Sequence, residues 1–136
     1  MGQSLTFRTR PDVLEQLQRQ AKQVHLPKTV LAERYVQEGL AMDQFPGIVF
    51  RGGALGRRPG LSGGPDVWEV VEIFRAESSD LAATAQNLEL PVALVEAALR
   101  YYGSHRAEVD EAIETNLQLL EQARLEYEQG EQVLQR

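Results

Sequence analysis

Apolar and polar residues alternate at the start of the chain, and the period then changes. In residues 4–10, SLTFRTR, Leu5, Phe7 and Thr9 fall on one side and Ser4, Thr6, Arg8 and Arg10 on the other. This period of two predicts a short strand. Pro11 has no amide to donate and a fixed φ, so it ends the strand and suits the first turn of a helix. Val13, Leu14, Leu17, Ala21 and Val24 then recur at helical spacing, which predicts a helix over residues 11–24. After a turn at His25-Leu26, Pro27 opens a second helix with the stripe Leu31, Tyr35, Val36 and Leu40, expected to run to residue 42.

The helical pattern stops over residues 43–66, which hold seven of the eleven glycines and three of the six prolines. Phe45, Ile48, Val49, Phe50, Leu55 and Leu61 are nevertheless too apolar for a solvated linker. The stretch GIVFRGGALGRR therefore predicts a short hairpin or irregular arm packed on something, at the boundary between two modules. From Asp66 the helical period returns, with Val67, Val70, Val71 and Phe74 on one face. Ser79 is placed to cap a short helix over residues 80–88, with Leu81 and Ala85 inward. Pro91 opens a third helix through Tyr102, and Tyr101 and Tyr102 are expected in the core. Three short helices with a tight turn between the last two have helix-turn-helix proportions. Gly103 is placed to end the third helix and Ser104 to cap a long acidic one over residues 106–136. There Ile113, Leu120, Tyr127 and Leu134 recur at intervals of seven, flanked by Val109, Leu117 and Ala123, a seam suited to a partner helix.

The expected fold is mainly α, in four segments: a strand and two helices over 1–42, a Gly/Pro-rich arm or hairpin over 43–66, a helix-turn-helix-like module over 67–105, and an acidic helix over 106–136. Net charge sharpens this division. The chain has 14 basic and 20 acidic residues, a net −6. Residues 1–42 carry six basic groups against four acidic ones, whereas residues 67–136 carry five against fourteen. Opposite ends are thus suited to different partners.

Enzymatic chemistry finds little support. The absence of cysteine excludes disulfides, thiolate nucleophiles and sulfur-ligated zinc. His25 and His105 lie in different modules with no second ligand at metal spacing, so no metal and no cofactor are expected. GGALGRR lacks the Gly-Lys-Ser/Thr ending of a phosphate-binding loop, and the carboxylates of the last helix read as a solvated face. No apolar run approaches the roughly 20 residues needed to span a bilayer, and MGQSLTFRTR lacks the apolar core of a signal peptide. A cytoplasmic protein without a membrane partner is expected.

A seven-residue strand leaves its amides and carbonyls unpaired unless it finds a neighbour. The simplest neighbour is the same strand of a second copy, giving an antiparallel ribbon with one apolar face on four helices and one polar face free. Such a ribbon fits the major groove of B-DNA, where threonine and arginine reach base edges.

With these residues, SLTFRTRPDVLEQLQRQAKQVHLPKTVLAERYVQEGL resembles the ribbon-helix-helix family of bacterial repressors and antitoxins of the CopG and Arc kind. The resemblance implies that Ser4, Thr6 and Arg8 contact bases. Leu5, Phe7, Leu14, Leu17, Leu31 and Tyr35 would form the dimer core, while Arg10, Lys28 and Thr29 would contact phosphates. Pro46-Gly47-Ile48 and the later Ala98, Tyr101, Tyr102 and His105 make residues 45–115 similar to small bacterial helix-turn-helix domains of undefined function found in VapB-type antitoxins. Its third helix offers DNA only Arg100, so this module is expected to serve dimerisation and partner binding.

The function expected is that of a sequence-specific DNA-binding protein, a homodimer or higher oligomer. It would be the antitoxin of a type II toxin–antitoxin pair, repressing its own operon. Ile113, Leu120, Tyr127 and Leu134 of the acidic helix would help cover a toxin with a basic, nuclease-like surface. The alternatives are a stand-alone repressor without a toxin and an oligomeric adaptor that does not bind DNA.

Overall fold

The computed structural model describes residues 2–53 and 56–135, so Leu55 lies outside the described residues. The described chain is mainly helical with one two-stranded sheet, and it divides into two compact units, Met1–Ala41 and Met42–Arg136.

In the first unit residues 2–10 carry neither helix nor strand. The strand expected over residues 4–10 is therefore not formed in the single chain. The physical reason is that a strand exists only against a neighbour's hydrogen-bonding groups, and both described strands lie outside this unit and pair with each other. Helix α1, Pro11–Gln23, starts as its sequence predicts, with Arg10 extended before it and proline in the first turn. It closes through Val24 N–H to Gln20 O (3.0 Å) and Leu26 N–H to Ala21 O (3.0 Å), with His25 in the left-handed region at φ 56°. Helix α2, Lys28–Gln44, runs two residues beyond the expected end.

The second unit has a closed core. Strands β1 (Ile48–Arg51) and β2 (Arg58–Leu61) form the hairpin that the glycine-rich stretch predicts, antiparallel with Ile48 opposite Leu61 and Arg51 opposite Arg58. Helix α3, Val67–Ala76, is the centre of the unit, packing on β2 and on α4 (Leu81–Leu88), α5 (Val92–Ser104) and α6 (Arg106–Leu134). Its predicted face is the one buried: Val67, Val70 and Val71 are enclosed, and Phe74 is half-buried. Each such valine stabilises the fold by roughly 1.5–3 kcal/mol. Val95, Ala98 and Tyr101 from α5, Ala85 from α4 and Val109 and Ile113 from α6 complete the interior.

Three expectations are corrected here. Asp80, not Ser79, caps α4, its carboxylate accepting from Ala83 N–H at 2.9 Å, because Ser78 and Ser79 are both taken up in left-handed turn conformations. Gly103 and Ser104 lie inside α5, and His105 is the junction to α6. Its ring stacks on Tyr101 at 3.9 Å, and its Nδ1 lies 3.0 Å from Tyr101 O. Tyr102 is half-buried rather than in the core, its hydroxyl donating to Asp110 Oδ1 at 2.8 Å.

Arg51 fastens the hairpin to α3. Its guanidinium donates to Asp66 Oδ1 (2.9 Å), Leu61 O (3.0 Å) and Gly64 O (2.7 Å), and Asp66 Oδ2 also accepts from Trp68 Nε1 (3.2 Å). The arginine passes directly across Gly60, where a β-carbon would collide with the guanidinium. We expect Gly60→Ala to cost about 1–3 kcal/mol, since a displaced guanidinium loses its acceptors, and to cost far less in an Arg51→Ala background. Urea denaturation of the four proteins of this cycle measures both values.

Candidate nucleic-acid interface

The residues of the first unit come together around a groove rather than a core. Only Ala21 and Leu31 are buried among its described residues. Phe7, Val13, Leu17, Ala32, Tyr35 and Val36 line an open groove of about 450 Å³ between α1 and α2. Phe7 is 71% exposed and Leu5 74%, values far from those of core side chains. Of the six residues expected in a dimer core, Leu31 is buried within the single chain, Leu17 is half-buried, and Leu5, Phe7, Leu14 and Tyr35 are open. Ala32 was not foreseen as a groove residue, although its place one turn before Val36 is the signal that marks it.

The polar candidates lie at the surface of this unit. Ser4, Thr6 and Arg8 are exposed. Arg10 lies 3.4 Å from Asp12, an exposed pair of the kind worth 0 to about 1 kcal/mol and easily exchanged for another anion. Lys28 and Thr29 form the first turn of α2, which contains no acidic residue. The first amides of a helix lack intrahelical acceptors and sit at the positive end of its dipole, so this turn is chemically suited to a phosphate.

The seam on α6 is only partly available. Ile113, expected to meet a partner, is buried at 6% exposure in the second unit's own core, because α6 packs on α3 and α5 up to that point. Leu120, Tyr127 and Leu134 are exposed, as is Leu117. Among the described residues there is no cluster of three metal-ligating side chains, and no helix is long and apolar enough to cross a membrane. The burial of Tyr101 against Glu108, which its hydroxyl meets at 3.2 Å, raises the phenol's pKa. Asp110, which accepts from Tyr102 and Arg75, is held below the usual carboxylate range. Both belong to the packing of α3, α5 and α6.

No family model, curated protein or solved structure matches the chain.

The open groove has a measurable consequence. Amide hydrogen exchange over residues 11–41 should slow at least tenfold as protein concentration rises from about 1 µM to 1 mM, because association protects helices that expose apolar faces alone. Exchange over residues 67–113 should not change with concentration. Equal behaviour of the two stretches would mean that the groove stays open in solution.

Proposed function

We propose that the chain is a homodimeric, sequence-specific DNA-binding protein of the ribbon-helix-helix kind. The observation that carries this reading is the open apolar groove of residues 1–41, with Leu5 and Phe7 exposed beside it. About 40 residues are too few to bury such side chains without a disulfide, a metal or a partner chain. The chain has no cysteine, and the described residues hold no metal-ligating cluster. A second copy meets the need most simply. Two copies of residues 4–10 pair antiparallel, satisfying each other's backbone groups and turning Leu5 and Phe7 onto the grooves. Alternation then leaves Ser4, Thr6 and Arg8 outward for base edges, with Arg10, Lys28 and Thr29 at the flanking phosphates.

On this reading the second unit serves a different partner. From Glu114 to Glu131, α6 carries five glutamates against Arg124, beside the exposed Leu117, Leu120, Tyr127 and Leu134. That combination fits a protein with a basic, apolar-lined surface, as an RNA-cleaving toxin has, and makes the chain an antitoxin that represses its own operon.

Fluorescence anisotropy on the DNA upstream of the protein's own gene tests the DNA reading. Arg8→Ala should lose roughly 10- to 100-fold in affinity, about 1–3 kcal/mol for a bidentate guanine contact, with the dimer intact by sedimentation. Arg10 and Lys28 in two copies supply four ionic phosphate contacts, so raising salt from 50 to 200 mM should weaken binding roughly 100-fold. An affinity indifferent to Arg8 and to salt would favour an oligomeric adaptor. For the second partner, Leu120→Asp/Tyr127→Asp should abolish co-purification with the product of the neighbouring gene while operator affinity is kept. A neighbour that never associates would leave a stand-alone repressor.

A further inference from the structure

Within the second unit, β2, α3 and α6 enclose a crevice of about 270 Å³ that neither DNA binding nor the exposed seam of α6 uses. Its uncharged lining is made by Pro59, Trp68, Val109, Ala112 and Thr115. Its charges are segregated by element. Arg57 and Arg58 stand on the hairpin side, and Glu108 and Glu111 on the α6 side.

These charges are not all used by the fold. Arg58 Nε and Nη1 are shut off from solvent and meet no acceptor among the described residues, so a guanidinium is held here without a partner for its donors. A rotation of this long side chain that carries those donors onto an acceptor in the crevice is favourable, because covered donors are costly to leave unpaired. Across the crevice Glu111 is exposed. Among the described residues Glu108 accepts from the Tyr101 hydroxyl, which leaves lone pairs over on both oxygens. A simple anion would be drawn to Arg58 and repelled by the glutamates, whereas a molecule with separated charges satisfies both sides. The volume is that of about nine waters at roughly 30 Å³ each, below the roughly 300–1,000 Å³ of sites for drug-sized ligands.

We propose that this crevice binds a small zwitterion, an α-amino acid with an apolar side chain of about one ring, its carboxylate on Arg58, its ammonium on Glu111 and Glu108, and its side chain against Trp68. The site stands independently of the DNA reading, since every residue in it belongs to the second unit.

Calorimetry on the full chain with three probes, L-phenylalanine, 3-phenylpropionate and phenethylamine, tests the proposal, because the last two each lack one charge. L-phenylalanine should bind at least tenfold more tightly than either, Arg58→Gln should weaken it at least tenfold, and Ala112→Leu, which fills the crevice, should abolish binding with the far-ultraviolet circular dichroism unchanged. If Arg58→Gln does not fold, the exposed Glu111→Gln gives the same decision, weakening L-phenylalanine and leaving 3-phenylpropionate unaffected or tighter. No heat with L-phenylalanine at 20 mM, equal affinity for all three probes, or affinity unchanged in the variants would each overturn the assignment.

Discussion

Two helices of 13 and 17 residues leave most of the apolar side chains of the first unit uncovered. Leu5, Phe7, Val13, Leu14, Val24, Val30, Tyr35, Val36 and Leu40 all stay exposed, against two buried residues. Hydrophobic burial is the main favourable term in folding, so this imbalance is the constraint from which the functional reading grows. Apart from Val30, the residues that lack cover belong to the stripes whose spacing predicts a strand and two helices. A surface meant for water would not repeat apolar residues at those positions. The role proposed for the polar residues alternating with Leu5 and Phe7 follows from the pairing proposed for the apolar ones.

The second unit obeys the opposite logic. Its central helix α3 packs on β2, α4, α5 and α6, and its interior is closed by aliphatic residues with one large aromatic, Tyr101. Phe45 and Phe50 approach that ring edge-on at 5.3 and 6.2 Å, and His105 stacks on its face. The hairpin is bound to this core by Arg51, whose Nε, Nη1 and Nη2 donate to Asp66 and two backbone carbonyls. Such a unit covers its own core within the single chain. Its remaining unpaired groups, those of Arg58 above all, therefore stand out as chemistry that the fold itself does not use.

Periodicity made most of the architecture legible. The stripes Val13 to Val24 and Val67 to Phe74 each marked a helix, and the glycine-rich stretch marked the hairpin, because the patterns reflect one-sided burial directly. Helix ends were less legible. Ser79 and Asp80 are both good caps by type, and only the left-handed turn at Ser78-Ser79 decides for Asp80. Ile113 shares its heptad position with Leu120, so sequence alone could not separate the turn of α6 that packs inward from the turns that do not. The crevice at Arg58 and Trp68 left no sequence signal, since it joins three elements through tertiary packing. The strand expected over residues 4–10 is not formed in the single chain, which offers this segment no neighbouring strand to pair with.

The length of α6 explains why its seam divides. At 1.5 Å per residue its 29 residues extend about 43 Å, whereas the 13 residues of α5 extend only about 20 Å. The helix outruns the layer that covers it, and burial ends at Ile113. Beyond that point its own polar face sustains it: Arg124 lies between Glu121 and Glu128, and Gln122 donates to Glu126 one turn on. A helix held by side chains along its polar face does not need its apolar face for its own folding. Leu120, Tyr127 and Leu134 thus stay exposed on an acidic segment, the feature on which the proposal of a basic protein partner rests.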